Sequence, residues 1–118
     1  MKLPNFDRAS IQVEKISDYL LSPIHPVGRH KAVFFRQFGF AQIDPYRLAG
    51  ALLSHAAENE AVEEQPSPFG RKFIVDGPLL TPDGRRPLVR TVWIIEAGDS
   101  VPRLVTAYPA DPKPRSDS

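Results

Sequence analysis

The chain has 118 residues, of which 42% are hydrophobic and 25% are charged, and its formal net charge is +1. This composition is typical of one ordinary globular domain and excludes fibrous and low-complexity classes of protein. The small net charge also excludes a domain-wide basic surface for nucleic acid, so any phosphate site has to be local. Because the sequence contains no cysteine, disulfides, thiolate metal sites and a cysteine nucleophile are excluded as well.

The N-terminal segment, residues 1–6, lacks the apolar run of a secretory signal peptide. No window of the sequence approaches the ~20 apolar residues that a membrane-spanning helix requires. We therefore expect a cytoplasmic protein that makes no contact with a membrane.

Apolar residues recur with a helical spacing up to about residue 60. The Ser22-Pro23 pair interrupts this spacing first. Gly39 suits the end of a helix, and Asp44-Pro45 has the residue types that begin one. Three helices are therefore predicted, at about 11–21, 27–38 or 29–38, and 44–59.

After residue 60 the apolar period changes to two, which is the spacing of a strand. Strands are predicted at 69–75, 88–95 and 101–108, with a short one near 61–65. A turn is predicted at 81–84, where proline and glycine occupy the positions that favour them. These elements predict one α+β domain over 1–109, with two or three N-terminal helices packed on one face of a three- or four-stranded antiparallel meander sheet. The polar residues 110–118 are predicted to form a disordered tail.

Two of the three histidines, His25 and His30, lie beside Arg29 and Lys31 at the start of the second predicted helix. In a helix that begins near Val27, His30 and Lys31 occupy positions where apolar residues would face the core. We therefore expect both to face the sheet and to form an anion site, because polar groups in such positions often serve a function. The alternative is structural: the histidines hold the turn, and the two cations extend into water over the phenylalanines that follow.

Polar side chains also interrupt two of the predicted strands. Arg90 shares a strand face with aliphatic residues on both sides, so its guanidinium needs an ion-pair partner or a ligand. The candidate ion-pair partners are three carboxylates, Glu14, Asp18 and Asp76. In a regular last strand, Thr106 and Tyr108 lie on the face of Leu104 and offer two hydroxyls to a ligand. The third histidine, His55, lies among apolar residues of the third predicted helix and is expected to be a packing residue.

Four stretches of the sequence resemble an uncharacterised bacterial family of domains of unknown function. They are HPVGRHKA followed by FF within 25–35, the segment 73–78, RTVWI at 90–94 and PRLVTAYP at 102–109. Members of that family occur alone or at the C-termini of large secreted polymorphic toxins. The arrangement is in turn similar to the barnase–EndoU–colicin–RelE superfamily of small ribonucleases, which place helices before an antiparallel sheet and often end in a Thr-x-Tyr/Phe-Pro strand.

The resemblance to this superfamily implies a toxin-like enzyme that cleaves RNA without a metal ion or another cofactor. Such cleavage needs a base for the 2′-hydroxyl, an acid for the 5′-oxygen and a cation for the charge on the phosphorane. A histidine is expected to act as the base or the acid. The predicted catalytic residues are His25, His30, Lys31, Arg90 and Thr106, and the predicted substrate-binding residues are Arg29 and Tyr108.

RNA is therefore the expected substrate, and a cognate inhibitor protein of the immunity or antitoxin kind is the expected protein partner. The competing hypothesis is a non-catalytic binding or protein-interaction module, in which the basic patch contacts an anion and Arg90 forms a structural ion pair. Convergence of His30, Lys31, Arg90 and Thr106 on one solvent-reachable cleft would favour the enzyme.

Overall fold

The computed structural model describes residues 1–110 of the chain. Four strands form one antiparallel sheet in the order β1-β2-β3-β4, and the helices precede them in the sequence. The strands are β1 (Ala61–Ser67), β2 (Gly70–Pro78), β3 (Leu88–Glu96) and β4 (Arg103–Pro109). The helices are α1 (Val13–Lys15), which continues as a π-helical turn (Ile16–Leu20), α2 (Gly28–Arg36) and α3 (Pro45–Glu58), and a 3₁₀ turn (Phe6–Arg8) comes before them.

The predicted α+β architecture with an antiparallel meander sheet is confirmed. The strands differ from the prediction mainly at their ends, since Phe69 lies in the β1–β2 turn and is 74% exposed. Of the predicted tail, all but Ala110 lies outside the described residues. None of the helices within residues 1–110 is long and apolar enough to cross a membrane.

The hydrophobic core lies between the helices and one face of the sheet. Phe73 and Trp93 face each other on β2 and β3 and are completely buried on that side. Helix α3 begins at Pro45 and buries Leu48 and Leu52 one turn apart, which is the spacing of a core-facing helical stripe. Burial of each side chain of this size contributes about 1.5–3 kcal/mol relative to its exposure.

Helix α2 is rotated relative to the expected orientation, and Gly28 explains the difference. Gly28 is buried against the backbone of Tyr19, where a Cβ would overlap the carbonyl oxygen and lie 2.7 Å from the carbonyl carbon. This close approach turns Gly28 and Phe35 toward the core. His30 is exposed, so the expectation that it faces the sheet is wrong. Lys31 is half-buried and reaches a side chain of β4, as expected.

A β-bulge in β4 determines which side chains of that strand face the core. Trp93 pairs with Leu104, and Val92 pairs with Thr106, so Val105 is the extra residue between them. Residues that lie directly opposite each other share a face of the sheet. Leu104 therefore packs in the core with Trp93, whereas Thr106 lies on the other face.

The bulge corrects one expectation about the last strand. Thr106 and Tyr108 were expected on the face of Leu104, which holds only for a strand without a bulge. The extra residue moves both hydroxyls to the face of Arg90, which pairs with Tyr108. The three polar groups that the sequence singled out in the sheet therefore lie on one face.

His55 of α3 is buried and connects the helix to the sheet through hydrogen bonds. Its Nε2 lies 2.9 Å from the carbonyl oxygen of Val89 and 3.1 Å from that of Gly77, so Nε2 carries the proton and donates. Its Nδ1 accepts from the Thr91 hydroxyl at 3.3 Å, and that hydroxyl accepts from the indole N–H of Trp93 at 2.9 Å. His55 thus has the structural role expected of it.

Acid is expected to destabilise the fold through His55. Burial lowers the pKa of His55 below its usual value, and the carbonyl groups of Val89 and Gly77 offset this only in part. Between the folded and unfolded pKa values, the unfolded chain binds a proton that the folded chain does not. The free energy of unfolding therefore falls as the pH drops below about 6.5, by up to about 1.4 kcal/mol per pH unit.

Urea unfolding between about pH 7.5 and pH 5.5 measures this dependence. The His55→Asn variant should lose most of the slope. The matched control is His30→Asn, which changes an exposed imidazole and should retain the slope of the wild-type protein. A wild-type slope in His55→Asn would show that another group causes the acid sensitivity.

Candidate functional site

Side chains from three separate elements meet beside the face of β4 that is turned away from the core. The Tyr19 hydroxyl lies 3.1 Å from Oγ1 of Thr106. The Lys31 ammonium lies over two aromatic rings, with Nζ 5.4 Å from the ring centroid of Tyr19 and 5.8 Å from that of Tyr108. We call these four residues the Lys31 cluster. All four are half-buried, so the cluster remains in contact with solvent.

Local structure explains how the cluster forms. The Leu21 N–H bonds to the carbonyl of Ile16 at 2.8 Å, which closes a π-helical turn around Tyr19. Turns of this kind are frequent at functional sites. Gly28 lets α2 approach this turn closely, which brings Lys31 over the tyrosine ring. The bulge in β4 then supplies the hydroxyl side chains from the other side.

Within residues 1–110, no carboxylate lies within ion-pair distance of the Lys31 ammonium. Burial acts to raise the pKa of Tyr19, but the hydrogen bond with Thr106 and the positive charges of Lys31 and Lys15 outweigh it and lower this pKa below its usual value. The cluster therefore combines a cation that no carboxylate of residues 1–110 pairs with and a phenol that gives up its proton more readily than an ordinary tyrosine does.

Arg90 borders the Lys31 cluster, but its own charge is matched. Its Nε and one terminal nitrogen donate to the two carboxylate oxygens of Asp76, each at 2.7 Å. Among the three candidate partners, Asp76 is therefore the one that pairs with it. This bidentate bond raises the already high pKa of Arg90. A guanidinium has five N–H groups, so Arg90 keeps donors for an anion beside Tyr108.

His25 forms the cap at the N-terminus of α2. Its Nδ1 accepts the backbone N–H groups of Val27 at 3.0 Å and of Gly28 at 2.9 Å. Because Nδ1 accepts both bonds, the proton of the neutral ring lies on Nε2. The ring also packs edge-on against Tyr19, with 4.9 Å between centroids. The turn role considered for His25 is therefore present, and the ring touches the Lys31 cluster.

Arg29 and His30 lie away from the Lys31 cluster, on the exposed side of α2. They line a cleft of about 380 Å³ that also includes Pro23, Ala32, Val33 and Arg36. Of the four residues whose convergence would favour the enzyme, Lys31, Arg90 and Thr106 lie together and His30 does not. The structure brings together four of the predicted residues, with His25 at their border. These four are Lys31, Arg90, Thr106 and Tyr108.

Most of the chain matches one known family. The profile of a domain of unknown function, DUF6883, covers residues 2–111. The chain belongs to this family. The resemblance to a domain family of unknown function is thereby confirmed, whereas no curated protein matches the sequence.

The fold of this DUF6883 domain also occurs in a solved structure. It is similar to a chain of a contact-dependent growth inhibition toxin–immunity protein complex from Klebsiella pneumoniae 342, with a TM-score of 0.65 and 17% sequence identity. The similarity covers 85% of this chain and 98% of that chain. At this identity it shows a shared fold.

Tyr19 is not among the site residues predicted from the sequence. Leu20 and Leu21, which follow it, predict a helix that packs on the core through its leucines. Nothing in that spacing indicates that the tyrosine belongs to a functional site. Its importance follows from the π-helical turn and from the neighbouring β4, which are tertiary features. Within residues 1–110, no three His, Asp or Glu side chains are grouped so as to hold a metal ion. The Lys31 cluster and the neighbouring Arg90 present an ammonium, three hydroxyls and a guanidinium as candidate anion-binding groups.

Proposed function

We propose that this domain cleaves RNA and that the Lys31 cluster is its active site. The observation that carries the proposal is the position of the Lys31 ammonium, which lies over Tyr19 and Tyr108, near the Thr106 hydroxyl, without a carboxylate partner within residues 1–110. A cation held at a half-buried point beside several hydroxyls suits a phosphodiester, whose reacting group gains negative charge. A similar fold occurs in a contact-dependent growth inhibition toxin–immunity protein complex, which we take as support for a role in a toxin system.

In the proposed step, the 2′-hydroxyl of the RNA loses its proton and its oxygen forms a bond with the adjacent phosphorus. The bond from phosphorus to the 5′-oxygen breaks, and that oxygen takes up a proton. The products are a 2′,3′-cyclic phosphate and a 5′-hydroxyl end, and no metal ion or cofactor enters the step. Lys31 and Arg90 stabilise the charge on the phosphorane, while Thr106 and Tyr108 donate hydrogen bonds to phosphate oxygens.

Tyr19 is the proposed proton acceptor, because its hydroxyl lies in the cluster and its pKa is lowered. Lys31 is the proposed donor to the 5′-oxygen. Nδ1 of His25 already accepts two backbone hydrogen bonds, and His30 lies on the exposed side of α2. Mutation of each histidine therefore tests whether it acts as base or acid.

The proposal predicts that the purified domain cleaves a mixture of cellular RNAs in the presence of EDTA. Lys31→Met keeps the length of the side chain without its charge and should lower the initial rate by about 100-fold or more. Lys2→Met is the matched control, because Lys2 bonds to the carbonyl of Ala57 beyond the opposite edge of the sheet. It should leave the rate unchanged. Tyr19→Phe should also lose activity while keeping the ring under Lys31.

Two results would contradict the proposal. If the wild-type domain cleaves no RNA, or if Lys31→Met cleaves as fast as Lys2→Met, the non-catalytic binding module becomes the better hypothesis. The His30→Ala and His25→Ala variants in the same assay decide whether either histidine is essential. Circular dichroism of each variant verifies that a lost rate does not reflect a lost fold.

A further inference from the structure

The exposed side of α2 is a surface that the proposed cleavage does not use. Its cleft of about 380 Å³ is lined by three apolar residues, Pro23, Ala32 and Val33. Three basic residues also line it, namely Arg29, His30 and Arg36. Lys31 projects from the neighbouring side of the same helix, so the cleft and the Lys31 cluster share one element.

The charged side chains of residues 19–43, which include α2, are all positive. No Asp or Glu occurs between Asp18 and Asp44, whereas Arg29, Lys31 and Arg36 all lie in that stretch. Within residues 1–110 neither Arg29 nor Arg36 pairs with a carboxylate. The net charge of the whole chain is only +1, so this local excess is compensated elsewhere in the sequence. This excess of positive charge favours a ligand that brings negative charge.

Val33, which lines the cleft, is an aliphatic side chain that is 69% exposed. In the loop before α2, Ile24 and Val27 are 85% and 56% exposed, although neither of them lines this cleft. Exposed apolar residues with a polar rim are typical of protein interfaces, where arginine is also enriched. Single-stranded nucleic acid is held mainly by aromatic platforms, and among residues 1–110 the only aromatic ring in the lining of this cleft is the imidazole of His30. The lining thus favours a protein over an RNA.

We propose that the α2 cleft binds an acidic protein segment that inserts an apolar side chain between carboxylates. The apolar side chain would pack on Val33 and Pro23, and the carboxylates would meet Arg29 and Arg36. A partner bound there lies on the helix that carries Lys31 and can cover the Lys31 cluster. The inference rests on the shape and charge of the cleft and stands whether or not the domain cleaves RNA.

The test is an NMR titration of the ¹⁵N-labelled domain with a synthetic peptide in which Asp and Glu flank a central Leu-Leu pair. The peptide should shift the amide signals of residues 29–36, and the shifts should saturate. Val33→Ser and Arg36→Gln should each weaken the affinity by about fivefold or more. Arg47→Gln is the matched control, because Arg47 is an exposed arginine of α3 that lines a different cleft. It should leave the affinity unchanged.

A second titration uses an oligouridylate of the same net charge, and a third uses the acidic peptide with serine in place of leucine. Weaker binding of both than of the parent peptide supports the proposal. Equal binding of the serine peptide overturns it, because charge alone would then explain the contact. Tighter binding of the oligouridylate with the same dependence on Val33 and Arg36 also overturns it and assigns the cleft to RNA, which is the role predicted for Arg29. Absence of any saturable shift overturns it too.

Discussion

Replacing Gly28 with alanine is expected to displace helix α2 and to lower the free energy of unfolding by about 3 kcal/mol. The added Cβ would lie 2.7 Å from the carbonyl carbon of Tyr19 and 2.9 Å from its Cδ1, which is closer than ordinary packing allows. The obstacle includes backbone atoms, which cannot turn aside as a side chain can, so the helix has to move as a unit. The whole domain is stabilised by about 5–15 kcal/mol, so this loss is a large fraction of it.

The displacement would also change the Lys31 cluster. Lys31 lies three residues after Gly28 on α2. Its contact with the Tyr19 ring depends on the close approach of α2 to the π-helical turn. We therefore expect Gly28→Ala to lose the proposed RNA cleavage as well as stability. Urea unfolding at neutral pH and the RNA cleavage assay measure the two effects.

Gly50→Ala provides the matched control for the same substitution. Gly50 lies within α3, and a Cβ there would meet nothing within 4 Å. Because alanine favours a helix more than glycine does, this variant should gain about 0.5–1 kcal/mol. If both alanine variants change the free energy of unfolding by the same amount and with the same sign, Gly28 does not pack closely on Tyr19.

Replacing Trp93 with alanine is expected to cost about 3–5 kcal/mol, the largest effect of any substitution considered. Trp93 is completely buried and lies between Phe73 on β2 and Leu104 on β4. Its indole N–H donates to Thr91 at 2.9 Å, and the Thr91 hydroxyl in turn meets His55. The change leaves a cavity in the centre of the sheet and removes one donor from this buried chain of hydrogen bonds.

Two further variants separate packing from hydrogen bonding at this position. Trp93→Phe keeps an aromatic ring but lacks the N–H, so it should lose less stability than Trp93→Ala. Phe69→Ala removes an aromatic ring that is 74% exposed and should change stability by less than about 0.5 kcal/mol. Denaturation midpoints of the three variants give the comparison. A Trp93→Ala midpoint near that of Phe69→Ala would place the indole outside the core.

The fold was predictable where local residue types and distant packing agree. The third helix was predicted at 44–59 and is observed at Pro45–Glu58, because Asp44-Pro45 favours a helix start whatever the helix packs on. The strands follow from their two-residue period and from the turns between them. The first helix was predicted as one regular segment, but only α1 is α-helical and the next turn is π-helical. Hydrophobic spacing does not distinguish these two kinds of turn.

The amino-acid sequence by itself determined the class of fold, the order of its elements and four of the residues that meet in or beside the Lys31 cluster. These properties depend on composition, periodicity and residue type, which are local. Tertiary structure alone decided that Tyr19 belongs to the cluster, that His30 does not face the sheet, and that Thr106 lies on the face of Arg90. The reason is that the contact of Gly28 with a backbone carbonyl sets the orientation of the side chains of α2, and a one-residue bulge sets that of the side chains at the end of β4. Neither feature is encoded in a local pattern.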